Sequence, residues 1–215
     1  MPDPDINLWA SSSHALQYLA RADFIPRRGE GERTLLEFLP ISIARVLDLG
    51  SGDGRLLDIV RAARPEIEAV ALDFSDTMLG QLRTRFAGEP LVTVVAHDMN
   101  LPLNDSLGTF DAVVSSFAIH HLAHDRKRCL YEEVYRLLRP GGVFLNLEHV
   151  ASPTEALHLQ FLAILDVAPA DDDPSNKLLD VETQLSWLRT IGFVEVDCHW
   201  KWRELALLAG KRPAV

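Results

Sequence analysis

The chain has 215 residues and a formal net charge of −10, from 21 Lys and Arg against 31 Asp and Glu. This length fits one domain with a full core, and a composition of 47% hydrophobic and 24% charged residues excludes the disordered and fibrous classes. The acidic balance disfavours a nucleic-acid partner, because the protein as a whole repels a phosphate backbone.

The sequence shows no recognisable secretory signal or membrane span, and its cysteines show no metal-binding pattern. Residues 1–6 lack the basic and apolar regions of a secretory signal, and no later stretch has the roughly 18 uninterrupted apolar residues of a membrane span. We therefore expect a cytoplasmic protein with no membrane partner. Cys129 and Cys198 lie far apart and form no metal-ligand spacing, so we expect buried free thiols and no metal site. A homodimer is kept as an alternative to a monomer.

Residues 1–43 are interpreted as an N-terminal helical cap that belongs to the same domain. Leu16 and Leu19 suggest one helix, Pro26 interrupts it, and residues 32–38 suggest a second helix. The cap precedes a regular alternation of strands and helices.

From residue 44 onward, β-branched or apolar runs alternate with amphipathic segments. The predicted strands are 45–49, 67–72, 91–96, 110–116, 143–149, 193–198 and 203–209. The predicted helices are 54–63, 76–87, 125–138, 154–166 and 180–191. This order predicts an α/β fold whose mostly parallel sheet is covered by helices on both faces.

Two segments interrupt or delimit that pattern. Asp125 is the predicted N-cap of the helix over 125–138, and Pro140-Gly141-Gly142 is predicted to stop it. Residues 151–180 are interpreted as a lid-like insertion, and the acidic stretch 171–174 within it as a mobile loop.

A glycine-rich loop follows the first strand. Residues 46–54 read Val-Leu-Asp-Leu-Gly-Ser-Gly-Asp-Gly, and the three glycines let the chain turn sharply and present backbone N–H groups to a ligand at a helix N-terminus. The dinucleotide pattern G-x-G-x-x-G would require another glycine where Arg55 stands. The spacing therefore argues against an NAD-dependent dehydrogenase.

This loop resembles the first motif of class I S-adenosylmethionine-dependent methyltransferases. Three later segments, 71–78, 96–100 and 110–122, resemble further motifs of that family in the expected order, and 136–145 resembles its helix, Pro-Gly-Gly turn and fifth strand. The resemblance implies a Rossmann-like seven-stranded sheet whose last strand is antiparallel. It also implies methyl transfer with S-adenosyl-L-methionine as co-substrate.

The resemblance assigns cofactor contacts to these segments. Asp73 would bind the ribose hydroxyls, since one carboxylate can accept two hydrogen bonds. Asp98 would meet the adenine amino group, with Met99 against the ring. The implied cofactor-binding residues are Asp48, Gly50, Ser51, Gly52, Asp73, Phe74, Asp98, Met99, Ser115 and Ser116.

Three histidines are candidate catalytic bases. His120 and His121 follow the fourth strand and His149 ends the fifth, at the sheet edge where open α/β proteins bind ligands. A base is needed only where the acceptor must lose a proton, and histidine suits that task near neutral pH. A structural role for each histidine remains an alternative.

The acceptor is predicted to be a small molecule. One alternative is a tRNA-modifying enzyme that uses S-adenosylmethionine or its carboxylated form, because residues 114–122 also resemble that group. Another is a non-catalytic binding subunit with the same fold. Arg27 and Arg28 could receive an acceptor carboxylate, but we interpret them as solvated surface charges.

Overall fold

Seven strands form one mixed sheet in the computed structural model, which describes residues 11–13, 15–16 and 25–214. The strands are β1 (Arg45–Leu49), β2 (Glu68–Asp73), β3 (Val92–Ala96), β4 (Phe110–Ser116), β5 (Leu138–His149), β6 (Val194–Trp202) and β7 (Leu205–Lys211). Their spatial order is β3-β2-β1-β4-β5-β7-β6, with β1 to β5 parallel and β7 antiparallel to both of its neighbours. The predicted Rossmann-like fold with an antiparallel last strand is confirmed.

Helices cover both faces of this sheet. They are α1 (Arg28–Phe38), α2 (Arg55–Ala63), α3 (Asp76–Arg85), α4 (His124–Leu137), α5 (Glu155–Ile164) and α6 (Val181–Ile191). Alternate residues of β1 enter different cores: Leu47 belongs to the buried cluster that includes Leu130 of α4 and Leu188 of α6, whereas Val46 belongs to the cluster that includes Leu57 of α2 and Leu35 of α1. The buried sheet therefore fixes the ends of its strands rigidly.

The junction between α4 and β5 differs from the prediction. Ala123 occupies the N-cap position of α4, so Asp125 lies within the first turn, and the helix already ends at Leu137. Leu138 has an extended backbone and pairs with Phe110 of β4, which places residues 140–142 inside β5. Pairing with the neighbouring strand, rather than the Pro-Gly-Gly turn, ends the helix.

The N-terminal cap is described only in part. Leu19 and most of the first predicted helix lie outside the described residues, while Leu16 is helical and exposed. The second predicted helix is longer than expected and begins at Arg28. It packs closely on the sheet, since a Cβ on Gly31 would lie 2.7 Å from Leu147.

The expectation of two buried thiols is wrong for Cys129. Cys129 is exposed and Cys198 is half-buried, and both are free. Leu130 and Val134 turn the apolar stripe of α4 toward the sheet, so Cys129 falls on the solvent side. Across the described part of the chain, no helix combines the length and apolarity of a membrane span.

A buried acid fastens the 151–180 segment to the sheet. Glu204, in the turn between β6 and β7, has a fully buried side chain that bonds His149 Nε2 at 2.9 Å and His158 Nδ1 at 3.0 Å, and Ser152 donates to it. His158 Nε2 also lies 3.3 Å from Asp172 Oδ2. The acidic stretch predicted to be a mobile loop thus makes a defined ion pair with α5.

His158→Gln is expected to lower the free energy of unfolding by about 1–2 kcal/mol at pH 6 and by less at pH 9. Partial burial alone would lower the pKa of His158, but Glu204 and Asp172 raise it above its ordinary value. A raised folded-state pKa contributes stability that is complete below the unfolded pKa and is lost as pH rises through the folded pKa. Urea denaturation at both pH values measures the difference.

His199→Gln is the matched control for this experiment. His199 stacks on Phe38 at 3.8 Å on another part of the surface. An equal loss of stability at pH 6 and pH 9 in His158→Gln would contradict the ion-pair explanation.

Candidate active site

A cavity of about 360 Å³ opens at the carboxyl ends of the parallel strands. Residues following β1, β2, β3 and β4 line it, together with residues of α1 and of the 151–180 segment. Ligands of open α/β folds bind at this edge, where the strand order reverses on either side of β1. The cavity is therefore the candidate active site.

The glycine loop after β1 forms the floor of the cavity. Gly50 has φ +65°, and a Cβ there would lie 2.3 Å from Ala118 Cβ and 3.2 Å from Met99 Cε. Gly52 also has positive φ, and its N–H donates to Asp73 Oδ2 at 2.9 Å. The backbone conformation and the close packing at Gly50 both exclude a side chain there.

Gly50→Ala is expected to destabilise the fold by about 2 kcal/mol or more, because left-handed backbone costs about 1–2 kcal/mol for an L-residue and the new Cβ also collides with Ala118. Gly80→Ala is the control: Gly80 lies in α3 with open space at its Cβ, and helix propensity favours alanine by about 1 kcal/mol. Urea denaturation compares the two. Equal stability of both variants would contradict the packing argument.

Two carboxylates at the ends of β2 and β3 face the same cavity. Asp73 is buried, and its Oδ1 accepts from Ser75 N–H at 2.9 Å, so it holds two backbone turns as well as lining the cavity. Burial raises its pKa, although these backbone hydrogen bonds oppose the rise. Asp98 is half-buried and accepts from the backbone and side chain of Asn100, each at 2.9 Å.

Asp48 is a buried carboxyl group that lines the cavity. Both of its carboxylate oxygens are buried, and neither has a hydrogen-bond partner among the described residues. Burial raises the pKa of Asp48 to about 7. A buried carboxyl in this state gains stability from a cationic ligand group, which favours the ionised form.

Comparison with known proteins gives the family. The model of the family described as "Methyltransferase domain" matches residues 46–142. A demethylmenaquinone methyltransferase of Clavibacter sepedonicus is 32% identical over 174 residues, which cover 74% of this chain and 69% of that protein. The chain belongs to the class I S-adenosylmethionine-dependent methyltransferases. A ubiquinone/menaquinone biosynthesis C-methyltransferase of Dinoroseobacter shibae is likewise 32% identical, with 73% of this chain and 69% of that protein covered.

Solved structures agree on the fold. An O-methyltransferase family protein from Burkholderia thailandensis superposes with a TM-score of 0.74 at 20% identity, covering 96% of this chain and 62% of that one. Human N-acetylserotonin methyltransferase, solved with S-adenosylmethionine, gives a TM-score of 0.69 at 18% identity, with 96% of this chain and 58% of that one covered. At these identities the likeness concerns the fold alone.

The residues of this methyltransferase fit its co-substrate, S-adenosylmethionine. That molecule carries a cationic ammonium group, two ribose hydroxyls and a planar adenine. The cavity offers an unpartnered buried carboxylate at Asp48, a second carboxylate at Asp73 and a third at Asp98, around a glycine loop with open space at Gly52. The ammonium group, the ribose hydroxyls and the adenine amino group of the ligand therefore each have a carboxylate in the cavity that can accept their hydrogen bonds.

The three candidate histidines are placed differently, and only His121 lines the cavity of the methyltransferase. His120 is buried behind it, with Nδ1 2.7 Å from Glu148 Oε1, and burial lowers its pKa well below the ordinary value. His149 is engaged by Glu204 and packs edge-on against His120 at 5.5 Å. His120 and His149 therefore do not line this cavity, and their catalytic role stays a prediction.

The two serines that end β4 also have different surroundings. Ser116 lines the cavity, and its hydroxyl is buried without a hydrogen-bond partner among the residues described. Ser115 is fully buried and donates to the Leu49 carbonyl at 2.8 Å, so it does not line the cavity. Successive strand residues point to opposite faces, and the motif alone did not reveal which serine faces the ligand.

Sequence reasoning missed several cavity residues of the methyltransferase. Arg28, interpreted as a solvated charge, is 6% exposed, and its Nε donates to Glu32 Oε1 at 2.9 Å. The spacing of Arg28 and Glu32 on one helix was a signal that could have found this pair. Ser175 and Lys177 reach the cavity from the 151–180 segment, and no local pattern marks them.

Proposed function

We propose that this methyltransferase transfers a methyl group to a ring carbon of a small hydroxylated aromatic acceptor of the quinol class. Two relatives that match about three quarters of the chain, named for demethylmenaquinone and for ubiquinone/menaquinone biosynthesis, support this acceptor class. The observation that carries the proposal is His121, which lines the cavity beside the apolar Phe117 and Leu122. A neutral base next to apolar side chains suits an aromatic ring that bears an ionisable hydroxyl.

The co-substrate would lie across the ends of β1, β2 and β3. Asp48 receives the ammonium group, Asp73 the ribose hydroxyls, and Asp98 the adenine amino group, with Met99 against the ring. The loop residues Gly50, Ser51 and Gly52 leave room for the ligand, while the N–H groups of Ser51 and Gly52 are bonded within the protein and hold the loop in shape. The full proposed set that lines the cavity is Asp48, Gly50, Ser51, Gly52, Asp73, Phe74, Asp98, Met99 and Ser116.

His121 is the proposed base. Burial lowers its pKa well below the ordinary value, with the neighbouring His120 adding to the effect, so the ring is neutral at physiological pH and can accept a proton. When the acceptor hydroxyl gives its proton to His121, electron density moves to the ring carbon. S-adenosylmethionine supplies the electrophilic methyl group.

The transfer then balances without an oxidant or reductant. The new C–CH₃ bond forms as the S–CH₃ bond breaks, and S-adenosylhomocysteine leaves with the electron pair of that bond. The ring carbon subsequently loses its own proton to water, which restores the aromatic ring as an oxyanion, and protonated His121 returns its proton to that oxygen to restore the hydroxyl group. The residues around the cavity contribute alignment and exclusion of water, which suffices for much of the rate because the leaving group is already good.

We further propose that residues 151–180 act as a lid over this cavity within a single domain. Ser175 and Lys177 of that segment line the cavity beside His121 and support this role. The cytoplasmic location and the alternative of a homodimer stay predictions, as does the exclusion of nucleic acid as an acceptor.

The test is methyl transfer from S-adenosylmethionine labelled with deuterium in its methyl group. The enzyme is incubated with reduced 1,4-naphthoquinone, reduced benzoquinone and unmodified tRNA, and products are mapped by mass spectrometry and NMR. A labelled methyl on a ring carbon is expected. Methylation of oxygen or of tRNA instead, or intact binding of S-adenosylmethionine without transfer to either quinol, contradicts the proposal.

A further inference from the structure

A chain of three polar side chains runs from the lid-like segment into the cavity. The Ser175 hydroxyl oxygen lies 2.7 Å from Asp173 Oδ1 and 3.1 Å from His121 Nδ1. The Ser175 N–H also donates to Asp173 Oδ1 at 2.9 Å. Ser175 is only 6% exposed, so these contacts are shielded from bulk water.

The hydrogens available for bonding between Asp173, Ser175 and His121 select one tautomer of the His121 imidazole. An ionised carboxylate only accepts hydrogen bonds, and a serine hydroxyl has a single hydrogen to donate. The Ser175 hydrogen therefore points to Asp173, and the Ser175 oxygen accepts from His121 Nδ1–H. In the neutral ring this leaves the lone pair on Nε2.

We infer that Ser175 and Asp173 are positioning residues that hold His121 in the Nδ1–H tautomer and fix the orientation of its ring. The inference rests on the proposed role of His121 as the base. It explains why Ser175, distant in sequence from the cofactor motifs, lines the cavity with Asp173 bonded behind it. It also gives the lid-like segment a part in assembling the site.

Contacts of His120 and Lys177 also hold His121 in this position. The His120 ring lies 4.0 Å from the His121 ring, and His120 is anchored on Glu148. Lys177 Nζ donates to the His121 carbonyl at 3.2 Å, and the Lys177 N–H donates to the His120 carbonyl at 2.9 Å. The lid-like segment thus binds the backbone as well as the side chain of the histidine pair.

The charges around His121 set the direction of the pH effect. Burial and His120 lower its pKa, while Asp173 and Glu148 raise it. The hydrogen bond through Ser175 to Asp173 stabilises the protonated ring, so its removal should lower the pKa of His121 further. The acid limb of the rate profile, where the base becomes protonated, should then move to lower pH.

The experiment compares Ser175→Ala, Ser175→Thr and Asp173→Asn in the full chain with the labelled quinol assay. Ser175→Ala is expected to lower kcat at least about tenfold with little change in the dissociation constant for S-adenosylmethionine, because the tautomer is no longer fixed. Its acid limb should shift to lower pH. Ser175→Thr keeps the hydroxyl and should restore most of the rate, and Asp173→Asn should shift the limb in the same direction with a smaller loss.

A direct readout is ¹⁵N NMR of the histidine ring nitrogens, with the His121 signals assigned by their absence in His121→Gln. The wild-type enzyme should show Nδ1 protonated and Nε2 unprotonated, and Ser175→Ala should show a mixture. Asn176→Ala, one residue away, is the control and should keep the wild-type tautomer and rate. An unchanged tautomer and acid limb in Ser175→Ala would overturn the inference.

The outcomes separate this inference from the proposed function. Ring methylation that is lost in His121→Gln but keeps its pH profile in Ser175→Ala would refute only the positioning role. Full activity of His121→Gln would refute the base assignment itself, and the NMR spectra would still decide whether Ser175 fixes the tautomer.

Discussion

Asp73→Ala is expected to raise the dissociation constant for S-adenosylmethionine by at least about 100-fold. A hydrogen bond to a charged group contributes about 1.5–3 kcal/mol, so the loss of two ribose contacts amounts to about 3 kcal/mol or more, at about 1.4 kcal/mol per tenfold change. The substitution also releases the N–H groups of Gly52 and Ser75, which Asp73 holds at 2.9 Å each. Isothermal titration calorimetry with S-adenosylmethionine and S-adenosylhomocysteine measures the effect.

Asp76→Ala supplies the matched control for this titration. Asp76 begins α3 three residues after Asp73 and is exposed, so its affinity should stay within about twofold of the wild-type value. Asp73→Asn retains the size of the side chain and should fall between the two. Undiminished affinity in Asp73→Ala, with a normal urea transition, would refute the proposed ribose site.

His121→Gln is expected to lower kcat about 10²- to 10⁴-fold, the usual contribution of a general base. The dissociation constant for S-adenosylmethionine should change by less than about threefold, because His121 is not among the proposed cofactor contacts, most of which follow β1, β2 and β3. Burial lowers the pKa of His121 below its ordinary value. Wild-type activity should therefore be complete at neutral pH and fall only as pH drops through that lowered pKa.

Steady-state rates across pH 5–9 with the labelled quinol assay measure both effects. His124→Gln is the control: this exposed histidine begins α4 and bonds the Leu178 carbonyl at 3.2 Å, away from the cavity lining. It should retain wild-type kcat within about twofold. A rate for His121→Gln equal to that of His124→Gln would show that transfer proceeds without this base.

The residues predicted to bind the cofactor sit in short local motifs, and all of them except Ser115 line the cavity. Asp48 and Gly50 lie on one strand-loop-helix unit, Asp73 ends β2, and Asp98 follows the end of β3 by two residues. Parallel pairing in register brings those strand ends together without further information. The sheet order then places all four beside one cavity.

The residues of the proposed acceptor side of the cavity were predicted much less well from sequence, since their roles depend on the direction of each side chain. His120 and His121 are adjacent in sequence, yet one turns into the core toward Glu148 and the other lines the cavity. A short 3₁₀ turn over Ile119–His121 sets these directions, and no periodicity in the sequence specifies such a turn. The sequence likewise did not show which of Ser115 and Ser116 faces the cavity.

The sequence by itself determined the strand and helix order, the glycine loop and the carboxylates that suit S-adenosylmethionine, because these features depend on local spacing and backbone conformation. Only the tertiary structure decided that His121, of the three candidate histidines, lines the cavity and that Arg28 is buried with Glu32. It also brought Ser175 to His121 across 54 positions of sequence. Such contacts arise from the packing of distant segments, which no local pattern of residues encodes.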